Sequence, residues 1–352
     1  MKIKYLYIFL PVSILLYKLN FFTLCFFVTI LAVIPISSSI CKYTDIFSEQ
    51  LGDKVGGLLN ATAGNIPELI ISYFALKSGM FELVKSGLIG SIIGNLLLVE
   101  GISIFLGGLK YNEQKFSREF ARTNFGLLFL ALTGIIIAST YKRSFFNNGN
   151  FKEMSYGISI ILLLVYFLGL IFSLITHRNL FIFTCKNEEE AIDKNVTGNR
   201  QLRFFLTLIS FIFTFLFLII EGNILVKLIE YISLSYGFSQ NFLGIIIIPM
   251  VGNVAEYSTA ILMALKNKIN LCIEIAIGSG MQIALFAMPF LVLIGLTYGY
   301  TIDLSYNLYQ ITSLIIAIGL SFFVFQDGKT FWIEGAILLA SYFIIALGYL
   351  FM

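Results

Sequence analysis

Two stretches of this chain repeat one another across an interval of 188 positions. LLNATAGNIPELIISYFALK fills 58–77 and IIPMVGNVAEYSTAILMALK fills 247–266, so Gly64, Asn65 and Glu68 fall on Gly252, Asn253 and Glu256. The same shift, without a gap, carries Ile89-Gly90-Ser91 onto Ile277-Gly278-Ser279. Each copy therefore reads as a G-N-x-x-E helix followed by a second helix that begins I-G-S. The surroundings are apolar: 58% of the 352 residues are hydrophobic and 12% are charged, where a soluble domain carries about a quarter charged residues. The fold class that follows is an all-α polytopic membrane protein. An ionisable group inside a bilayer is costly and marks a functional site by default, and here one is duplicated.

Runs long enough to cross a bilayer need about 20 apolar residues. Eleven are read from the sequence, at 3–19, 21–41, 55–77, 81–109, 122–140, 155–176, 203–221, 239–265, 271–298, 306–325 and 331–351. Lys2 and Lys4 before the first run resemble a signal peptide, but no small-residue cleavage site follows, so the run is read as a retained helix. The polar insert from His177 to Arg203, with Glu188, Glu189, Glu190 and Asp193, divides the chain. The expected organisation is an extra N-terminal helix (1–20), a first five-helix repeat (21–176, helices 2–6), an acidic cytoplasmic linker (177–202) and a second five-helix repeat (203–352, helices 7–11). Five crossings per unit is an odd number, so the second copy enters the membrane from the opposite side. Such inverted repeats are common in secondary transporters, whose site lies near the midplane where the copies meet.

Orientation follows from the basic residues. With the N-terminus in the cytoplasm, Lys2, Lys4, Lys42, Lys54, Lys110, Lys115, Arg118, Arg122, Arg178, Lys186, Lys194, Arg200, Arg203, Lys266, Lys268 and Lys329 lie inside, 16 of the 23. The expectation is a multi-pass cell-membrane protein with a cytoplasmic N-terminus and an extracytoplasmic C-terminus. The net charge of +3 gives no ground for nucleic-acid binding; association into homo-oligomers stays open. Cys25, Cys41, Cys185 and Cys272 are too dispersed for a zinc site or a disulfide framework. His177, the single histidine, sits in a polar turn and reads as a surface residue rather than a catalytic one; without a second histidine most histidine-based metal sites are excluded.

Gly64 and Pro67 bracket Asn65, and Pro249 precedes Gly252 by three. Proline removes a donor and clashes with the carbonyl four residues back, and in lipid a freed carbonyl is tolerated only against protein or a wet cavity. Carbonyls near Asn60 to Ala63 and near Gly244 to Ile248 are thus expected to be free, with the backbone of Ala63, Gly64, Val251 and Gly252 beside the site. Asn65 and Glu68 share a helix face, as do Asn253 and Glu256. Two carboxylates, two amide oxygens and several carbonyls suit Ca²⁺, Mn²⁺ or Mg²⁺ rather than zinc or copper. Two glutamates are neutralised by one Ca²⁺ or by two protons, whereas two bare carboxylates side by side in low dielectric repel and are poorly solvated. Exchange of the cation for H⁺ follows, with Glu68 and Glu256 carrying both. Ser91, Asn95, Ser279 and Gln282 either support the site or join helices. Glu100 lies well inside helix 4, while Glu221 and Glu274 are read as interfacial.

These motifs resemble the cation/proton exchanger (CAX) branch of the Ca²⁺/cation antiporter superfamily, through GGLLNATAGNIPELI, GSIIGNLLLVEG, GGLKY, the THR turn, IPMVGNVAEYSTAI and IAIGSGMQIALF. The resemblance implies an eleven-helix Ca²⁺/H⁺ antiporter with Glu68 and Glu256 as shared carriers and no cofactor. Four positions depart from the family pattern: Tyr257 stands where histidine is usual, Ile66-Pro67 replaces small residues, and Glu100 replaces an apolar one. Na⁺-driven or Mn²⁺ exchange on the same architecture is the alternative, and an intramembrane metal-dependent enzyme a distant one, disfavoured because no nucleophile motif or nucleotide loop is present. If the charge bias sets the orientation, a cysteine introduced beside Asp193 is labelled by an impermeant maleimide only from the cytoplasmic face. Labelling from the outer face of intact cells would reverse the topology.

Overall fold

The computed structural model describes residues 3–51, 64–144, 151–176, 200–300 and 302–352. After a short 3₁₀ helix at Ile3–Ile8, helix α1 is Phe9–Lys18 and α2 is Phe22–Leu51. Then come α3 (Ile66–Lys77), α4 (Phe81–Ile93), a π-helical segment Gly94–Val99, and α5 (Glu100–Lys110), the last three forming one continuous rod. Helices α6 (Arg118–Ser144) and α7 (Phe151–Ile171) complete the first half. The second half holds α8 (Arg200–Tyr236), α9 (Gln240–Gly252), α10 (Val254–Leu265), α11 (Ile269–Gln282), a second π-helical segment Ile283–Ala287, α12 (Met288–Thr297), α13 (Leu308–Val324) and α14 (Trp332–Leu350). Seven of the described helices or rods are long and apolar enough to cross a membrane, and α9 with α10 makes an eighth bent by 67°. Tyr5–Lys18 and Leu308–Val324 are shorter apolar helices. The linker with His177, Cys185 and Glu188–Glu190 lies outside the described residues, as do Asn60 and Ala63.

The 188-residue shift extends beyond the motifs. It carries α3 onto α10 end for end, the start of α4 onto the start of α11, and the first π segment onto the second. Packing partners are exchanged in the same way: α5 lies on α14 while α12 lies on α7, and α11 meets α6 while α4 meets α13. Of the α4–α5 rod's most apolar window, 83% is buried inside the protein, against 17% for α7 and its extension. The rod is therefore the centre, and α7, α8 and α14 turn apolar side chains such as Leu168, Phe213 and Ile344 outward, as a lipid-facing surface requires. Small residues let the central helices touch. A Cβ on Gly90 would fall 2.6 Å from the Ile245 Cα, and one on Gly244 would fall 2.7 Å from the Ser86 Cβ, so α4 and α9 approach backbone to backbone, as small residues permit between membrane helices.

One expectation is corrected. The seventh apolar run was placed at 203–221 with Glu221 interfacial, but α8 continues to Tyr236 and Glu221 is fully buried. Leu225, Val226, Leu228 and Ile229 beyond it are buried as well, so the apolar face persists past the charges that broke the run in sequence. The Ser13 hydroxyl lies 2.7 Å from Glu221 Oε1 and answers the buried acid.

Polar contacts collect at two opposite ends. At one, strands β1 (Gln114–Lys115) and β2 (Lys329–Thr330) pair antiparallel, Gln114 Nε2 donates to the Ala264 carbonyl (2.9 Å), and Lys110 donates to that of Leu265 (2.8 Å). At the other, Asp303 takes ion pairs from Lys85 and Lys142, each at 2.7 Å. Two hydroxyls secure the same loop: Ser155 accepts from the Leu304 amide and Ser139 from the Tyr306 amide, both at 2.9 Å. Burial alone would raise the Asp303 carboxyl, but Lys85 beside it and hydrogen bonds from Lys142, Lys85 and Ser305 bring it below the usual carboxylate range, to about 2. A carboxyl lowered in this way stabilises the fold above its unfolded value and loses that contribution as pH falls through the folded one. Asp303→Asn is expected to cost about 1–2 kcal/mol at neutral pH after allowance for solvent screening. The wild-type advantage in thermal unfolding should vanish between about pH 4 and pH 2.

Candidate cation site

The bent pair α9–α10 shows how a G-N-x-x-E segment makes a site. Pro249 sits inside α9 without ending it, and the break comes at Asn253, whose φ of −100° and ψ of 10° leave the helical region. Asn65 precedes α3 with nearly the same pair of angles, −95° and 17°. The break at Asn253 leaves the carbonyls of the turn before it, Val251 and Gly252 among them, without their helical partners, in addition to the Ile245 carbonyl that Pro249 deprives within the Gly244–Ile248 stretch. A helix end leaves its last carbonyls without partners, whereas a single proline deprives only one. Glu68 and Glu256 each occupy the first turn of the helix that restarts. There the positive end of the helix dipole favours negative charge.

The two carboxyl groups converge from different halves of the sequence. Glu68 is 1% exposed and lies within electrostatic reach of Glu256. It packs onto the backbone of the other motif: a Cβ on Gly252 would fall 2.5 Å from Glu68 Oε1. The glycine of one copy thus makes room for the glutamate of the other. Glu256 keeps part of its surface open, with the Ser279 hydroxyl beside its carboxyl.

Amides and hydroxyls cross-link the halves around this pair. Asn65 Nδ2 donates to Gln282 Oε1 at 2.7 Å, Asn95 Nδ2 donates to Ser279 Oγ at 3.0 Å, and Ser279 donates onward to Asn65 Oδ1 at 3.3 Å. Asn65, Asn95, Ser279 and Gln282 are therefore one network. Asn253 and Ser91 do not join it: both are buried, and among the described residues neither the Asn253 amide nor the Ser91 hydroxyl has a partner within hydrogen-bond geometry. Both oxygens of Glu68 and Oε2 of Glu256 are also without one. Buried polar atoms are satisfied in nearly every protein, so this concentration of unpaired oxygen acceptors fits a hard cation. Among the described residues no three acidic, histidine or cysteine side chains gather to hold a metal. Any such ion would draw its remaining ligands from amide and backbone oxygens, as Ca²⁺ readily does.

Two neighbours were not legible. Cys41 of α2 faces both glutamates, yet in sequence it is one residue of an apolar run with no motif around it. Tyr257 was noted as a departure, but its place was not foreseen: its hydroxyl fits against Gly94, where a Cβ would come within 2.6 Å of it. Glu100 is fully buried beside Ser321, and Glu274 is half-buried in the first part of α11.

Comparison with known proteins follows the same lines. The sodium/calcium exchanger protein family matches residues 21–175 and 206–351. The Ca(2+)/H(+) antiporter ChaA of Bacillus subtilis is 39% identical over 92% of this chain and 91% of its own length. A Ca(2+)/H(+) antiporter of Aphanothece halophytica is 36% identical over 98% of this chain and 95% of its own. The structure of native YfkE superposes with a TM-score of 0.84 at 33% identity, covering 99% of this chain and 100% of that one. The Glu68–Gly252 contact makes a direct test available. Gly252→Ala is expected to weaken Ca²⁺ binding by about 5- to 150-fold, since overpacking of this kind costs about 1–3 kcal/mol. Gly319→Ala, with open space around it, should leave isothermal titration with Ca²⁺ unchanged.

Proposed function

This chain belongs to the sodium/calcium exchanger protein family, and on that premise we propose that it exchanges Ca²⁺ for H⁺ across a membrane by alternating access. The observation that carries the reading is the meeting of buried Glu68 with partly exposed Glu256 among unpaired oxygens. The close relatives named as Ca²⁺/H⁺ antiporters support the choice of ions. Glu68 and Glu256 bind the cation, and the Asn65 and Asn253 side-chain oxygens with the backbone at Ala63, Gly64, Val251 and Gly252 complete its shell. Calcium accepts 6–8 oxygens at roughly 2.3–2.6 Å in irregular geometry, which suits a mixed set of this kind; Mn²⁺ is a second candidate cargo.

Coupling rests on charge balance. Removing both protons without supplying a cation leaves two carboxylates facing each other at low dielectric, and the protein resists carrying that charge through the membrane. The Ca²⁺-loaded and the doubly protonated forms are both neutral, so either reorients. Cation and protons therefore travel in opposite directions, and neither glutamate acts as a catalyst. The asymmetry of the hydrogen bonds, closed at Asn65 and open at Asn253, suits a carrier caught facing one side.

The architecture that goes with this mechanism is eleven spans: residues 1–20 as an extra helix, 21–176 and 203–352 as oppositely inserted five-helix repeats, and 177–202 as a cytoplasmic linker. The exchanged packing partners and the two matched π segments support it. The N-terminus is cytoplasmic and the C-terminus extracytoplasmic, in the cell membrane. Proteoliposomes with an acidic interior should accumulate radioactive Ca²⁺ without Na⁺, with Mn²⁺ competing. Loss of one buried charged ligand costs about 3 kcal/mol or more, so Glu68→Gln and Glu256→Gln should each reduce uptake by about 100-fold. Uptake that needs Na⁺, or that survives both substitutions, would defeat the reading.

A further inference from the structure

Glu100 is not used by the exchange just described. It opens α5 directly after the π segment and is fully buried. The ion pairs among the described residues join Lys85 and Lys142 to Asp303 and Lys115 and Lys329 to Glu113, so none neutralises it. Of the elements packed around the rod, α11 presents Cys272 to it, α13 presents Ser321, and α10 presents Tyr257, with Tyr342 of α14 nearby, to the π segment. No base stands against this acid.

Counting hydrogens assigns its state. Ser321 Oγ lies 2.7 Å from the Leu96 carbonyl oxygen and 2.8 Å from Glu100 Oε2. A hydroxyl has one hydrogen, and a carbonyl only accepts. Both contacts are full two-centre hydrogen bonds when the Ser321 hydrogen goes to Leu96 and Glu100 Oε2 donates to Ser321. The reverse would leave two lone pairs opposed at 2.7 Å and a buried carboxylate held by one bond, an arrangement that is strongly unfavourable.

The π segment decides which way Glu100 faces. In an α-helix a step of five residues turns a side chain about 140° away from the starting face. A π turn closes after five residues, so Glu100 returns to the face of Asn95. Along the rod Ser91, Asn95, Glu100, Ser103 and Gly107 follow at steps of four, five, three and four. Helix α11 confirms the alignment, because Ser279 meets Asn95 and Cys272, seven residues earlier, meets Ser103 and Glu100. Among the described residues no nitrogen or oxygen pairs with Glu100 Oε1, Ser103 Oγ or Oε1 of Gln114, which abuts Gly107, and all three are buried. A line of buried polar atoms thus runs from the cation site to the end that carries β1.

We propose that Glu100 holds a proton in the resting carrier and serves as a relay station for protons moving between the paired glutamates and the β1 end of the molecule. A proton from hydronium at that end forms an O–H bond at one oxygen of the Glu100 carboxyl as the O–H bond at the other breaks and its proton passes towards a carboxylate of the pair, so the acid is neutral again after each passage. The proposal rests on Ca²⁺/H⁺ exchange, and its test separates the two.

Glu100→Gln keeps the shape and a donor for Ser321 but has no exchangeable acid. In proteoliposomes it should lower proton-driven Ca²⁺ uptake by about 100-fold, the low end of what a proton-transferring group contributes. Ca²⁺/Ca²⁺ self-exchange in the same vesicles should stay at the wild-type rate, and Glu100→Asp should restore part of the proton-driven mode. Wild-type rates in both modes, or an equal fall in both, would overturn the proposal. If Glu100→Gln does not survive extraction, infrared spectra decide. A protonated-carboxyl C=O band that persists under saturating Ca²⁺ and shifts in Ser321→Ala is expected, and its absence or indifference to Ser321 would overturn the proposal. Wild-type protein that self-exchanges Ca²⁺ but shows no proton-driven uptake would instead defeat the exchange reading, and this proposal with it.

Discussion

Glu68 lies against Gly252 with no room for a methyl group between them, and the rest of the site depends on that contact. A carboxyl group so deep in an apolar protein needs a reason to be there. The second motif supplies it by bringing a matching break and a matching acid to the same place. Each half alone would bury one glutamate with nothing to neutralise it. Together they form a group that a divalent cation or two protons can satisfy, and bare charge cannot.

The geometry is maintained by devices some distance away. Glycines at 90 and 244 let α4 and α9 touch along their backbones. The 302–306 loop, anchored by Asp303 between two lysines, fixes α4, α6 and α7 to one another at one end. The β1–β2 pair and the Gln114 side chain bind α10 and the segment before α14 at the other. Between these fixed ends the central helices carry few charges, and their polar contacts run between the two halves of the chain. A carrier that must rearrange one half against the other needs its adjustable contacts at that seam.

The π segments belong to the same logic. They recur at equivalent positions in both halves, and in the first they turn a residue that α-helical spacing would send elsewhere onto the polar face. Local rewinding of a helix changes which side chains share a face without moving its axis. A buried acid can be brought into line with a transport site in this way even when its position in the sequence looks out of phase.

Much of this was legible in the residues themselves. The apolar runs located most of the described helices, because a bilayer sets their minimum length, but stopped ten residues short in α2 and fifteen short in α8. The duplicated Gly-Asn-x-x-Glu pointed to the candidate site, because an acid in lipid has few other uses. Asn65, Asn95, Ser279 and Gln282 were chosen from sequence and do join one network. What was not legible depended on partners far apart in the chain. The break at Asn253 and not at Pro249, the burial of Glu221 by Ser13, the place of Cys41 and the pairing of Glu100 with Ser321 all follow from which helix packs on which. The sequence by itself determined where the helices lie and which acids enter the apolar region, since hydrophobic length and charge cost are properties of single segments. Only the tertiary structure decided which oxygens lack partners and which acid must hold its own proton, since hydrogen bonding is settled between segments.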